Sequence, residues 1–237
     1  MPKPDYGVDN PRLGLIIVLT VAASLAFGLL YRGSSNEAAR AVASVVLSLV
    51  PTGIILILSM VSYVKVEKFR HRDRMLKMVQ WRGDERVLDV GTGRGLLMIG
   101  AAKRLTTGKS IGMDIWRGQD LSGNTVEGAR RNAEIEGVRD KVELRNADAR
   151  KMPFPDGSFD CVLSNLCLHN IPNQEGRFAA CREIARVLKP GGVAIISDFM
   201  HTDEYAKAFR EDDLETTSSF SFLLAPMFLR IVKARKP

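Results

Sequence analysis

Residues 87–95 read VLDVGTGRG, and this stretch decides the class of fold. The apolar run Val87–Val90 is typical of a short buried strand, and the apolar segment Leu96–Leu105 is typical of a helix. Three glycines alternate with other residues in the turn between them. Because glycine lets backbone N–H groups approach a ligand closely at the start of a helix, the stretch predicts a strand–turn–helix unit with a ligand at its turn.

After this unit the sequence alternates between strands and helices. Further strands are predicted at 110–114, 142–145, 159–164 and 192–197, and helices at 125–136 and 177–188. Such alternation is typical of a doubly wound α/β fold built on a parallel sheet. Ligands of these sheets bind at the carboxyl ends of the strands, so we expect the functional residues there.

Carboxylates stand at the ends of three of these strands. Asp89 precedes the glycine turn, Asp114 ends the second strand and Asp148 follows the third. A carboxylate at the second position can accept hydrogen bonds from both hydroxyls of a ribose, and one at the third can accept from the amino group of adenine. Each alone is typical of a solvated loop, whereas three beside a glycine turn indicate a nucleoside ligand.

The spacing of the glycines separates two classes of cofactor. Dinucleotide-binding folds use G-x-G-x-x-G, and here Leu96 stands where the third glycine would fall. A G-x-G-x-G turn preceded by Asp89 suits S-adenosylmethionine better, because an acidic residue can order the contacts to its ammonium group. A nicotinamide-dependent oxidoreductase is therefore the poorer alternative.

Three stretches, VLDVGTGRG at 87–95, NADARKMPFPDGSFD at 146–160 and LKPGG at 188–192, resemble the class I S-adenosylmethionine-dependent methyltransferases. Within that family they resemble most the small-molecule branch that includes quinone-biosynthesis and arsenite methyltransferases. The resemblance covers residues 80–237 and implies a Rossmann-like, seven-stranded sheet that ends in a β-hairpin, with S-adenosylmethionine as cofactor. The expected cofactor-binding residues are Asp89, Gly91, Thr92, Gly93, Gly95, Asp114, Ile115, Trp116, Asp148, Ala149 and Asn165.

Two segments depart from the pattern of that family. Residues 116–123 lengthen the connection after the second strand, where they are expected to cover the adenosine or to help build the mouth for the substrate. Trp116 in this insertion either packs against adenine or is an ordinary aromatic residue of a surface loop. The apolar segment 220–229 near the C-terminus is expected to be sheet core, with contact to the membrane or the substrate as the alternative.

His169 is the candidate catalytic residue. It follows the fourth strand, where the methyl acceptor should lie, and an imidazole suits a general base for a phenol or enol acceptor. The equal alternative is that it only hydrogen-bonds the loop backbone. Cys161, Cys167 and Cys181 lack CxxC spacing and form no matching set for holding a metalloid. We therefore expect no metal site, and arsenite methylation is disfavoured.

Residues 1–64 predict a transmembrane helical hairpin with spans at about 13–31 and 41–64. Both runs are uncharged, and 19 residues of helix reach about 28 Å, close to the thickness of a hydrocarbon core. The link 32–40 is short and polar. A cleaved signal peptide is the first alternative, against which the second run argues. A pair of buried core helices is the second, against which the length of both runs argues.

The charges fix the expected orientation. Residues 65–79 form a basic juxtamembrane linker, since positions 65–77 carry six basic and two acidic residues. The positive-inside rule then predicts an integral membrane protein with its C-terminal domain and its N-terminus on the cytoplasmic side. Residues 78–237 carry 24 basic and 22 acidic residues although the whole chain has a net charge of +7, so no nucleic-acid partner is indicated.

These features predict a membrane-anchored methyltransferase, with the lipid bilayer and a small, apolar or lipid-like acceptor as partners. One alternative is a methyltransferase of membrane-proximal proteins, although Asn165-Leu166 lacks the N/D-P-P-Y/F signature of many amide and amine methylators. The other is a non-catalytic membrane module that binds the cofactor. The sequence leaves open the acceptor atom, the use of a general base, the oligomeric state and the identity of the membrane.

Overall fold

The computed structural model describes residues 2–8, 11–118, 121–221 and 228–237. Two long helices precede an α/β domain. The helices are α1 (Pro11–Tyr31), α2 (Glu37–Ser62), α3 (Lys68–Lys77), α4 (Leu96–Ala102), α5 (Val126–Ile135), α6 (Gln174–Val187) and α7 (Thr202–Glu211). The strands are β1 (Arg86–Val90), β2 (Lys109–Asp114), β3 (Val142–Asn146), β4 (Phe159–Asn165), β5 (Leu188–Asp198), β6 (Glu215–Ser221) and β7 (Leu229–Arg235).

The seven strands form one sheet in the order β3-β2-β1-β4-β5-β7-β6. The strands β3, β2, β1, β4 and β5 are parallel to one another. The strand β7 pairs antiparallel with both β5 and β6. The expected seven-stranded Rossmann-like sheet and its closing hairpin are confirmed. The strand order reverses between β1 and β4, and this is the position at which doubly wound sheets bind ligands.

The alternation of side chains along the strands builds a core on each face of the sheet. Val87 and Leu163 are fully buried on the face that α3 and α4 cover. Their neighbours Leu88 and Val162 are fully buried on the other face, against α6 and α7. Burial of each such aliphatic side chain stabilises the fold by roughly 1.5–3 kcal/mol. The sheet is therefore a rigid support for the loops at its carboxyl edge.

The helices α1 and α2 pack against each other as an antiparallel hairpin, with glycines at the closest approaches. A Cβ atom on Gly28 would lie 2.3 Å from Leu47, and one on Gly53 would lie 2.3 Å from Val21. Two helices, Gly14–Tyr31 and the helical stretch Glu37–Lys77, are long and apolar enough to cross a membrane by length and composition. Small residues at such a contact allow close packing of helix backbones.

The basic segment 65–79, expected as a linker, is not a separate connection in the structure. A π-helical turn over Tyr63–Glu67 joins α2 directly to α3. Met75 and Leu76 of α3 are fully buried and belong to the core of the α/β domain. The domain therefore begins before residue 80, because the apolar side of α3 covers β1 while Arg70, Arg74 and Lys77 are exposed to solvent.

His71 secures this helix to the far strands of the sheet. Its Nε2 lies 2.8 Å from the hydroxyl of Ser197 in β5, and its Nδ1 lies 3.0 Å from that of Ser221 in β6. Burial lowers the pKa of His71 to about 4, so the imidazole is neutral at physiological pH. The apolar segment 220–229 follows Ser219, and its residues 222–227 lie outside the described residues.

Candidate active site

A cavity of about 180 Å³ lies at the carboxyl ends of the parallel strands. Eight of the eleven expected cofactor residues line it: Asp89, Gly91, Thr92, Asp114, Ile115, Asp148, Ala149 and Asn165. The described residues that line the cavity do not include Gly93, Gly95 or Trp116. The structure therefore brings the strand-end carboxylates and the glycine turn to one place, as the parallel sheet requires.

The glycine turn depends on backbone angles that other residues rarely adopt. Gly91, Gly93 and Gly95 have φ angles of 72°, 53° and 88°. A Cβ atom on Gly91 would lie 2.1 Å from the sulfur of Cys167, which crosses behind the turn. Gly93 and Gly95 thus shape the turn without lining the cavity, because their role is conformational.

Asp89 is a buried carboxylate at the base of the cavity. Its Oδ2 accepts hydrogen bonds from the hydroxyl of Thr92 at 2.7 Å and from the backbone N–H of Met98 at 2.9 Å. Burial raises the pKa of Asp89 to about 7, against the lowering effect of those two bonds. A cation bound beside it would favour the ionised form, and this is the environment that an ammonium group requires.

Asp114 at the end of β2 holds two loops together. Its Oδ2 accepts from the N–H of Gly93 at 2.8 Å, and its Oδ1 accepts from the N–H of Trp116 at 2.7 Å. Each carboxylate oxygen has a second lone pair, so Asp114 can still accept from a pair of ribose hydroxyls.

Asp148 is paired with a neighbouring arginine. The guanidinium of Arg150 donates to both of its oxygens, with Nη2 at 2.6 Å from Oδ2. These hydrogen bonds lower the pKa of Asp148. The carboxylate is half-buried beside Ala149 and lines the cavity. Its remaining lone pairs can therefore accept hydrogen bonds from a group that binds at this end of the cavity.

The insertion 116–123 contributes to the wall of the cavity through Arg117 and Leu121. Asn124 follows it and donates from Nδ2 to the carbonyl of Arg117 at 3.1 Å, which holds the loop closed on itself. Trp116 has a φ of 55° and lies outside the cavity wall. Residues 119 and 120 lie outside the described residues. The insertion lines the cavity, whereas the expectation that Trp116 packs against adenine finds no support in its position.

The segment after β4 is strained and polar. Leu166 has a φ of 52°, which is rare for a branched side chain. The preceding Asn165 has a buried Oδ1 atom that accepts no hydrogen bond of normal geometry from the described residues. An acceptor oxygen of this kind at the wall of a cavity fits a ligand that carries N–H donors.

His169 lies beside this segment. It is not one of the described residues that line the cavity. Its Nδ1 is 2.8 Å from Oδ1 of Asp198, a fully buried carboxylate at the end of β5. Its ring packs at 4.7 Å from that of Phe199. The side chain thus contacts a carboxylate, in addition to the backbone N–H of His169 that the same carboxylate accepts at 3.2 Å.

Several residues of the cavity carry no sequence pattern that would have identified them. They are Tyr6 from the N-terminal segment, Tyr63 and Lys68 from the helix that leaves the hairpin, and Asn170, Ile171 and Pro172 after β4. The first three lie outside the stretch that resembles a known family. Only the basic character of the segment around Lys68 pointed to a functional role, and that role was the orientation of the hairpin in the membrane.

Comparison with known proteins agrees with this geometry. Residues 88–196 match the family described as "Methyltransferase domain". The chain is 36% identical over 131 residues to a 27-O-demethylrifamycin SV methyltransferase of Amycolatopsis mediterranei, covering 55% of this chain and 44% of that protein. It is 36% identical over 119 residues to a ubiquinone/menaquinone biosynthesis C-methyltransferase of Pseudomonas fluorescens, covering 50% and 43%.

Residues 88–196 therefore form a class I S-adenosylmethionine-dependent methyltransferase domain. Among solved structures, the YcgJ protein of Bacillus subtilis superposes with a TM-score of 0.58 at 19% identity, over 70% of this chain and 98% of that one, and so shares the fold. The chain spans less than half the length of these two curated relatives.

The cofactor of this methyltransferase domain is S-adenosylmethionine, and the described residues fit it. The unpaired Oδ1 of Asn165 and the buried carboxylate of Asp89 suit the ammonium group of its methionine end. Asp114 and Asp148 suit the ribose and the adenine, respectively. When bound, the cofactor supplies a methyl group activated by a positively charged sulfur.

Proposed function

We propose that the protein is a membrane-anchored methyltransferase that transfers the methyl group of S-adenosylmethionine to a small, apolar or lipid-like acceptor by in-line displacement. One observation carries this proposal: the helical stretch Glu37–Lys77 contains the second apolar span and also reaches the cavity. Tyr63, the residue that follows α2, lines the cavity together with Lys68, which lies five residues further along the chain. A lipid-soluble acceptor would therefore meet the site close to the membrane surface.

The surface of the hairpin supports a lipid environment. Large apolar side chains of both helices point away from the protein, including Leu19 at 59% exposure and Ile55 at 62%. The hydroxyls of Ser44 and Ser59 donate to the carbonyls of Arg40 and Ile55 in their own helix. Polar groups satisfied within the helix suit a hydrocarbon core, whereas an apolar surface of this size is costly in water.

The contacts of the N-terminus support the proposed orientation. Residues 2–8 precede α1 and pack on the α/β domain, where Tyr6 is buried and Asp5 pairs with Arg94 at 3.0 Å. Both ends of the hairpin thus lie on the side of the domain. The basic residues that follow α2 then favour the cytoplasmic side, and exposed side chains such as Lys65 and Lys77 are suited to anionic headgroups.

The chemistry of the acceptor is inferred from the cavity and from the relatives. Apolar side chains such as Leu97, Leu121 and Ile171 line the cavity beside the polar strand ends. The names of the relatives refer to a rifamycin and to ubiquinone and menaquinone biosynthesis, which supports a small organic molecule as the acceptor. Orientation of that acceptor and exclusion of water would supply much of the rate.

For an acceptor that must lose a proton, we propose His169 as the general base: it lies between Cys167 and Asn170, which both line the cavity, so a rotation of its side chain would bring the ring to the acceptor. The buried carboxylate of Asp198 lies 2.8 Å from its Nδ1 but outside hydrogen-bond geometry, so a small rotation of the ring would pair the two and leave Nε2 to take the proton. The hydroxyl of Tyr205 donates to Oδ2 of Asp198 at 3.4 Å, and this contact helps to fix the position of the carboxylate.

A label-transfer assay tests the proposed function. The full-length protein in nanodiscs receives S-adenosylmethionine labelled on its methyl group, with total lipid extract in one reaction and with soluble metabolites and proteins in the others. We expect label in the lipid fraction, and its loss in Asp89→Ala. Label only in the protein fraction would instead show a methyltransferase of membrane-proximal proteins. Binding of the cofactor without any transfer would contradict the enzymatic proposal in favour of a non-catalytic module.

A pair of variants tests the role of His169. His169→Ala and Asp198→Asn should both lower kcat, with little change in the affinity for the cofactor, because both residues act on the acceptor. General bases contribute roughly 10²–10⁴-fold to rate, so kcat should fall by a factor in this range in His169→Ala. An unchanged kcat would show that His169 only holds the loop.

A further inference from the structure

We propose that the N-terminal segment Pro2–Val8, here called the strap, is a part of the cofactor site and closes the cavity over the bound S-adenosylmethionine. The strap lies outside the matched domain, residues 88–196, and precedes the first apolar helix. Tyr6 of the strap is 5% exposed and lines the cavity. This inference rests on the cavity being the cofactor site and does not depend on the identity of the acceptor.

The strap is attached to α5 by a reciprocal pair of hydrogen bonds. The backbone N–H of Asp5 donates to Oδ1 of Asn132 at 2.9 Å, and Nδ2 of Asn132 donates to the carbonyl of Asp5 at 2.7 Å. The same Nδ2 donates to the carbonyl of Arg94 in the glycine turn at 2.9 Å. A single side chain therefore ties the strap to the turn that receives the cofactor.

The strap is also attached to the insertion 116–123, which contributes Arg117 and Leu121 to the wall of the cavity. The N–H of Val8 donates to the hydroxyl of Ser122 at 2.7 Å, and the N–H of Ser122 donates to the carbonyl of Val8 at 3.1 Å. Gly7 has a φ of 68°, and a Cβ atom there would lie 2.8 Å from the carbonyl oxygen of Ser122. The strap and the insertion thus contact each other directly, and both contribute residues to the wall of the cavity.

The helix that leaves the membrane hairpin fixes the strap from a third side. The ammonium of Lys68 donates to the carbonyl of Gly7 at 2.7 Å, and Lys68 is itself 5% exposed. The hydroxyl of Tyr6 donates to Glu136 at 2.9 Å, and its ring meets that of Phe69 edge-on at 5.7 Å. These contacts surround Tyr6 with buried and half-buried partners, so its ring holds one position at the cavity wall.

The packing of the hairpin brings the strap to this place. The first turn of α1 approaches the last turn of α2, since a Cβ atom on Gly14 would lie 3.1 Å from Met60. The chain entering α1 is therefore held beside Tyr63 and Lys68, which lowers the loss of entropy on ordering the strap. Cofactor can leave readily only when the strap lifts, so the strap sets the rate of exchange.

The test compares two glycine substitutions in the full-length protein in nanodiscs. Gly7→Ala should free the strap, because the new methyl group collides with the backbone of Ser122. Gly137→Ala is the matched control, because Gly137 has a φ of 69° and a Cβ atom there would meet no described atom within 4 Å. Dissociation of tritium-labelled S-adenosylhomocysteine is followed after a chase with unlabelled compound, and hydrogen exchange reports on the amides of residues 2–8.

We expect at least tenfold faster dissociation in Gly7→Ala and in Tyr6→Ala, with the rate of the control within twofold of the unmodified protein. Bound S-adenosylhomocysteine should slow the hydrogen exchange of the strap, because binding and closure are reciprocally linked. An unchanged dissociation rate in Tyr6→Ala, whose cavity wall lacks the ring, overturns the proposal. Failure of the unmodified protein to bind the compound would instead contradict the assignment of the cavity.

Discussion

The buried carboxylate of Asp89 gives a prediction that separates stability from binding. Asp89 has a pKa raised from 3.8 to about 7 by burial. The folded protein therefore binds more protons than the unfolded chain between these values, and its stability falls as the pH rises through this window. In Asp89→Asn the amide oxygen can still accept from Thr92 and Met98, but no charge is buried.

The size of the change in the free energy of unfolding follows from the range between pH 5 and pH 7, in which Asp89 is protonated in the folded protein but ionised in the unfolded chain. Two pH units correspond to about 3 kcal/mol, at roughly 1.4 kcal/mol per unit. Between pH 5 and pH 8 the unmodified protein should therefore lose about 3 kcal/mol more stability than Asp89→Asn. For a domain of this size that equals a difference of about 6–12 °C in Tm.

The assay is thermal unfolding of both proteins in nanodiscs without cofactor, at a series of pH values from 5 to 8. Because all other titrating groups are the same, the difference between the two curves isolates Asp89. Addition of S-adenosylmethionine should stabilise the unmodified protein more than the variant at pH 8, where the carboxylate can pair with an ammonium group. Parallel pH profiles of Tm would refute the reasoning, because they would show that Asp89 is ionised throughout this range.

Three further predictions concern the turn, the ribose contact and the hairpin. Asp114→Ala should weaken binding of S-adenosylmethionine by roughly 1.5–3 kcal/mol, the value of a charge-assisted hydrogen bond; unchanged affinity by calorimetry in a folded variant would remove the ribose assignment. Gly91→Ala should abolish binding and lower Tm, since its Cβ would lie 2.1 Å from Cys167, and wild-type affinity would contradict the role of the turn. Gly53→Leu should lower Tm in nanodiscs by several degrees more than Gly33→Leu, whose Cβ would meet no described atom within 4 Å; equal effects would show that the helices do not pack closely there.

The sequence predicted the parts of the site that one short segment builds. The turn with Gly91 and the carboxylate of Asp89 were predictable because strand, turn and helix are contiguous and have distinct periodicities. The convergence of Asp114 and Asp148 was predictable from the parallel sheet, which places all carboxyl ends at one edge. The position of Trp116 was not, because a loop side chain follows from contacts that no periodicity encodes.

The sequence by itself determined the class of fold, the cofactor turn and the two apolar runs, because each is written in neighbouring residues and needs no knowledge of the path of the chain. Only the tertiary structure decided that the segment after the second run is a helix of the domain core and that Tyr6 completes the cavity. The bonds between Asp5 and Asn132 join positions 127 residues apart. Such contacts depend on how the hairpin returns the N-terminus to the domain, since packing of distant surfaces, and not local preference, selects them.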